Sequence, residues 1–114
     1  MKVADAVREL EGSLMTGAAE REITGGYASD LLSDVMANGS EGDIWITLQK
    51  HVNIVAVAQL NGISAVVLVN NRKPDSDTLA RAKEMGVAII STPLQAFDAA
   101  GILHARGIRG RRQV

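Results

Sequence analysis

Val3, Ala6, Val7 and Leu10 recur at helical spacing, which predicts a short amphipathic helix over 2–11 closed by Gly12. Leu14–Met15 reads as a short strand, and Gly17 and Gly25–Gly26 mark turns. Tyr27–Ser29 reads as extended. Asp30 is placed to cap a helix carrying Leu31, Leu32, Val35 and Met36, which Asn38–Gly39 ends.

The pattern is more regular downstream. Ile44–Leu48 is a β-branched and aromatic strand. Asn53 then caps an apolar segment, Ile54–Leu60, that Asn61–Gly62 closes. Periodicity leaves strand and buried helix open there, and the cap, the stop and the alternation with neighbouring segments favour helix. Ala65–Val69 and Val87–Ile90 are continuous apolar strands. Between them Pro74 and Asp75 open a helix with Leu79, Ala82 and Met85 inward, ended by Gly86. Thr92-Pro93-Leu94-Gln95 has the capping-box pattern, with Leu94 and Phe97 on one face of a last helix running to about Ala105.

Strands centred near 46, 67 and 89 are thus separated by helices, about 21–22 residues apart, the period of βαβ units. Continuous apolar strands imply a mostly parallel sheet covered on both faces, an α/β fold.

Composition narrows the chemistry. The 114 residues contain no cysteine, which excludes disulfides, thiolate metal sites and cysteine nucleophiles. Only 3% are aromatic, so the core must be aliphatic. The net charge of −1 shows no excess suited to nucleic acid, which is not an expected partner. Arg106, Arg109, Arg111 and Arg112 crowd the last nine residues and read as a solvated basic tail over 108–114, outside a domain spanning 1–107. The longest apolar runs have five residues, against the ~20 needed to span a bilayer, and no signal peptide is visible. The expected compartment is the cytoplasm.

Ligands of parallel α/β sheets bind beyond the carboxyl ends of the strands. That rule selects Gln49, Lys50, His51 and Asn53 after the first regular strand. It selects Asn70, Asn71, Arg72 and Lys73 after the second, with Ser91 and Thr92 after the third. Amide, hydroxyl and cationic donors of this kind suit a small anionic ligand, a phosphate or nucleotide by class. Thr24, Gly25 and Gly26 could cradle an anion through backbone amides, or simply form a tight turn. His51 could act as an acid or base with Asp34 or Asp43. The sequence holds no GxxxxGK[ST], GxGxxG or GxSxG motif and no metal-ligand spacing, so no cofactor, metal or catalytic residue is expected.

Three stretches carry a resemblance. They are Ile23 to Asn38, containing Thr24-Gly25-Gly26-Tyr27-Ala28-Ser29-Asp30; then Gly42 to Thr47 with His51 to Ala58; and finally Arg72-Lys73-Pro74-Asp75 with Ser91-Thr92-Pro93-Leu94. Over about residues 1–107 the chain resembles the DRTGG domain family. Only the Thr-Gly-Gly part of the eponymous string is present, because Arg21 and Glu22 stand where Asp-Arg is expected. The resemblance implies a three-layer α/β/α domain similar to the N-terminal domain of HPr kinase/phosphorylase. It does not imply kinase activity, since that chemistry belongs to a P-loop domain for which this chain has neither motif nor room. It implies a non-catalytic regulatory or ligand-sensing module acting through a protein partner in trans. The alternative is an assembly module, forming a homodimer or an accessory subunit of a hydrogenase-type redox complex.

Overall fold

A computed structural model describes residues 1–111, so Arg112 of the expected tail lies outside the described residues. The chain runs α1 (Val3–Glu9), β1 (Ser13–Thr16), β2 (Gly25–Ala28), α2 (Leu32–Asn38), β3 (Asp43–Thr47) and α3 (Asn53–Asn61). It continues through β4 (Ala65–Leu68), α4 (Ser76–Met85), β5 (Ile89–Ser91) and α5 (Ala96–Ala105). The five strands form one sheet in the order β1-β5-β4-β3-β2. β2 to β5 are parallel, and β1 joins β5 antiparallel.

Alternation along the strands builds two cores, because successive side chains point to opposite faces. Ile44, Ile46, Ala65, Val67, Ala88 and Ile90 face α1 and α5, packing on Val3, Leu10, Ala99 and Leu103. Trp45, Val66, Leu68 and Ile89 face α2, α3 and α4, packing on Val35, Ile54, Val57 and Ala82. The result is a three-layer α/β/α fold with a mostly parallel sheet, as the pattern and the resemblance imply. Trp45 is wholly buried and satisfies its indole N–H on the Ser29 carbonyl at 2.8 Å.

The apolar segment 54–60 is helical. Gly62 and Gly86 end α3 and α4 in the left-handed conformation, at φ 70° and 71°. Several expected caps are absent, for reasons of tertiary contact. Asp30 does not cap α2, whose N-cap is Leu31, because its carboxylate is drawn to the end of β3. Asn53 is the first helical residue of α3 rather than its cap. Thr92 does not form a capping box with Gln95, which is itself the N-cap of α5. Its hydroxyl instead donates to the Leu10 carbonyl at 2.5 Å and accepts the Leu94 amide at 3.1 Å. Leu94 therefore precedes the helix, and the helical spacing from Leu94 to Phe97 does not apply. Leu94 packs against the core, whereas Phe97 is 87% exposed. Gly25–Gly26 is also not a turn: both glycines are strand residues of β2, paired beside Asp43 and Ile44.

Candidate functional site

The parallel register decides which loops meet. Thr47 lies beside Leu68, and Leu68 beside Ser91, so β3, β4 and β5 end in one row. The loops that follow share that carboxyl edge, as expected for 49–53, 70–73 and 91–92. Thr24, Gly25 and Gly26 do not join them. Gly25 pairs with Asp43 at the start of β3, which puts this stretch at the opposite edge of the sheet.

At the carboxyl edge each side chain has a definable role. Asp30 accepts the Thr47 hydroxyl at 2.9 Å and the Leu48 amide at 2.7 Å, clasping β2 to the end of β3. The Gln49 side chain donates to the Asp30 carbonyl at 3.0 Å. His51 meets Asp75 at 2.9 Å through Nδ1, and Lys50 reaches the other oxygen of Asp75 at 3.6 Å. The carboxylate partner of His51 is thus Asp75. Asp34 is occupied with Tyr27 and Asn38, and Asp43 is buried at the far edge, so neither expected acid–base pair forms. Asn53 is exposed at the start of α3.

Asn70 and Asn71 both adopt positive φ, 58° and 59°, and the Arg72 amide returns to the Val69 carbonyl at 3.2 Å. Two consecutive left-handed residues in such a turn favour asparagine, whose short polar side chain tolerates the conformation. The turn is held by the Asn70 and Asn71 amides, which donate to the Leu94 and Thr92 carbonyls at 2.8 Å each. Lys73 follows it, donating to Ser91 Oγ at 3.1 Å, while Ser91 donates to the Arg72 carbonyl at 2.6 Å. Among the described residues, neither Arg72 nor Lys73 forms an ion pair with a carboxylate. Thr92 falls out of the candidate set: it is wholly buried, and its hydroxyl is committed to Leu10 and Leu94.

The amino edge is closed by the chain itself. The Thr24 amide donates to the Gly42 carbonyl at 2.9 Å and the Gly26 amide to the Arg109 carbonyl at 3.2 Å, so neither is left to cradle an anion. Residues 108–111, expected to stand outside the domain, lie against this edge. Ile108 packs on the α1/α5 core, and the Arg111 guanidinium binds Asp43, the Thr24 hydroxyl and the Glu41 carbonyl. Asp43 is only 2% exposed, and its second oxygen accepts the Ser40 amide at 2.8 Å. A Cβ at Gly25 would collide with both the guanidinium and the Asp43 carboxylate. The glycine at 25 therefore makes room for an internal ion pair.

The DRTGG domain model matches residues 5–105. The chain belongs to the DRTGG domain family. No curated protein matches the sequence. Among solved structures, this DRTGG domain resembles the CBS and DRTGG domains of the regulatory region of Clostridium perfringens pyrophosphatase, complexed with the activator diadenosine tetraphosphate. The TM-score is 0.70 at 16% identity, which is a likeness of fold. The match covers 90% of this chain and 45% of the other, so the DRTGG chain spans less than half the length of that relative.

Sequence reasoning missed Asp30, Asp75 and Arg111. Asp30 and Asp75 stand where helix caps are expected, and Arg111 stands in a basic tail. Only the fold shows their partners, 17 to 87 residues away. No group of three or more His, Cys, Asp or Glu able to hold a metal occurs among the described residues. No described helix is long and apolar enough to cross a membrane.

Proposed function

We propose that this DRTGG domain is a non-catalytic regulatory module that senses a small anionic ligand, a nucleotide by class, at the carboxyl edge of β3–β5. The observation carrying this reading is the pair Arg72 and Lys73, which follow the Asn70–Asn71 turn and have no carboxylate partner among the described residues. Lys73 is already oriented by Ser91, so little ordering cost remains when an anion arrives. Gln49, His51, Asn53, Asn70 and Asn71 supply neutral or titratable donors along the same edge, whereas Ser91, buried and with its hydroxyl proton spent on the Arg72 carbonyl, serves to orient Lys73. The nucleotide activator of the pyrophosphatase regulatory region supports the same ligand class. The domain would pass the signal to a protein partner or a second copy of itself.

Isothermal calorimetry with AMP, ADP, ATP, diadenosine tetraphosphate and inorganic phosphate tests the reading. At least one should bind, with affinity falling as salt is raised. The double variant Arg72→Ala/Lys73→Ala should weaken that binding about tenfold or more, the scale of one to two charge-assisted contacts. Absence of binding by all five, or binding untouched in the double variant, would refute it.

A further inference from the structure

The α1/α5 face of the sheet is not completely filled. Alternate residues of a strand share a side, so Gly26 and Ala28 of β2 stand on this face together with Ile44 and Ile46 of β3. Glycine and alanine reach little above the backbone, and α5 packs over β3 rather than over this edge strand. The space left is an open cavity of about 140 Å³. Gly26, Ala28, Ile44 and Ile46 form its floor, with Leu103 of α5 and Ile108 as apolar walls. An apolar cavity of roughly this volume holds one benzene-sized ring. The wall at 108–110 is fixed in place: the Gly26 amide donates to the Arg109 carbonyl at 3.2 Å, and Arg111 is anchored on Asp43.

The mouth of the cavity is basic. His104 and Arg109 both line it and both are exposed, so their polar heads stand where it opens to solvent. Arg109 Nη1 donates to the His104 and Ile108 carbonyls, which holds the guanidinium beside the end of α5. Its Nε and Nη2 groups and the His104 ring meet no partner among the described residues. No Asp or Glu lines the cavity.

We propose that this cavity binds a small apolar monocarboxylate about the size of benzoate. Its ring lies over Gly26 and Ala28 between Leu103 and Ile108, and its carboxylate accepts N–H groups of Arg109 and His104 at the mouth. An apolar interior with a few polar groups at the entrance is the usual build of a small-molecule site. Burial favours the ring through the apolar area removed from water. The guanidinium selects a carboxylate because its paired N–H groups match two oxygens. The site shares no residue with the carboxyl edge, so its occupancy is independent of the nucleotide proposed there.

Methyl NMR of the full chain, titrated with benzoate and with benzyl alcohol as the neutral probe of similar shape, tests the assignment. Benzoate should shift the methyls of Ile44, Ile46, Leu103 and Ile108, with a dissociation constant of about 1 mM or tighter, the scale for so small a ligand. Its ring protons should give contacts to the same methyls. Ala28→Leu puts a larger side chain into the cavity and should weaken binding about tenfold or more. Because Ala28 is exposed, the dichroism and melting temperature of that variant should match the parent. Arg109→Gln should weaken benzoate about fivefold and leave benzyl alcohol unchanged. Absence of these shifts at about 20 mM benzoate, or binding untouched by Ala28→Leu, would overturn the proposal. So would equal affinity for the two probes, or a loss in Arg109→Gln shared by both.

Discussion

The two ends of β3 are treated in opposite ways. At its start, Asp43 is buried and holds the Ser40 amide and the Arg111 guanidinium, and every polar group there works to close the molecule. At its end, Thr47 is clasped by Asp30, but in the adjoining loops Arg72 and Lys73 meet no carboxylate among the described residues. A parallel sheet explains the difference. At the amino edge the chain returns from helices, and residues 108–111 seal it. At the carboxyl edge three loops leave side by side and turn their polar groups outward. A sealed edge contributes stability, and the edge whose cations meet no carboxylate among the described residues is the one where the proposed ligand would bind.

That contrast can be broken most forcefully at the sealed edge. Asp43→Ala strands the Ser40 amide and releases Arg111, and should cost about 3 kcal/mol in urea denaturation. Thr92→Val removes the buried hydroxyl that ties the end of β5 to the end of α1, leaving the Leu10 carbonyl without that donor. It should cost about 2 kcal/mol by the same measurement. If either variant were as stable as the parent, the polar groups at that position would not be structural.

A smaller effect is expected from the contact between the edge strand and α2. The hydroxyls of Ser29 and Tyr27, and after them the Asn38 amide, hold the Asp34 carboxyl below its ordinary value against the opposing effect of desolvation. The folded value then lies below the unfolded one. The stability that Asp34 adds is complete above about pH 4 and is lost as pH falls through the folded value. Asp34 in turn raises the Tyr27 phenol, whose contribution is present below about pH 10 and lost as pH rises through the raised value. Asp34→Asn should therefore flatten the acid limb of the stability profile measured below about pH 4, and Tyr27→Phe the alkaline limb measured above about pH 10.

The smallest effect on stability should come from the open edge. Lys73→Ala should change unfolding free energy by no more than about 0.5 kcal/mol, as expected for an exposed side chain, while weakening anion binding in calorimetry. A large loss of stability would mean that its hydrogen bond to Ser91 belongs to the scaffold, and the contrast between the edges would narrow.

Much of the fold was legible because each element carries its own signal. Ile44–Leu48 and Ala65–Val69 read as strands from continuous apolar character, and Gly62 and Gly86 were found as helix stops because a left-handed terminus favours glycine. Their order alone implies the α/β sheet. The candidate site was legible in part for the same reason: the strand ends are local, and the rule about carboxyl edges needs only parallel pairing. Thr24–Gly26 and Thr92 were misplaced because small polar residues carry the same local signature in a turn, a cap, an anion cradle or a buried tie.

The sequence by itself determined what is short-range: the elements, their alternation, the aliphatic core and the exclusion of cysteine chemistry. Tertiary structure decided where the polar groups went. Thr92 was spent on a carbonyl 82 residues away, Asp43 on Arg111 and Asp30 on Thr47, while Arg72 and Lys73 met no opposing charge among the described residues. Hydrophobic periodicity is written in neighbouring residues. The partner of a hydroxyl or carboxylate is set by whichever group the folded chain brings within about 3 Å, and no local pattern encodes that distance.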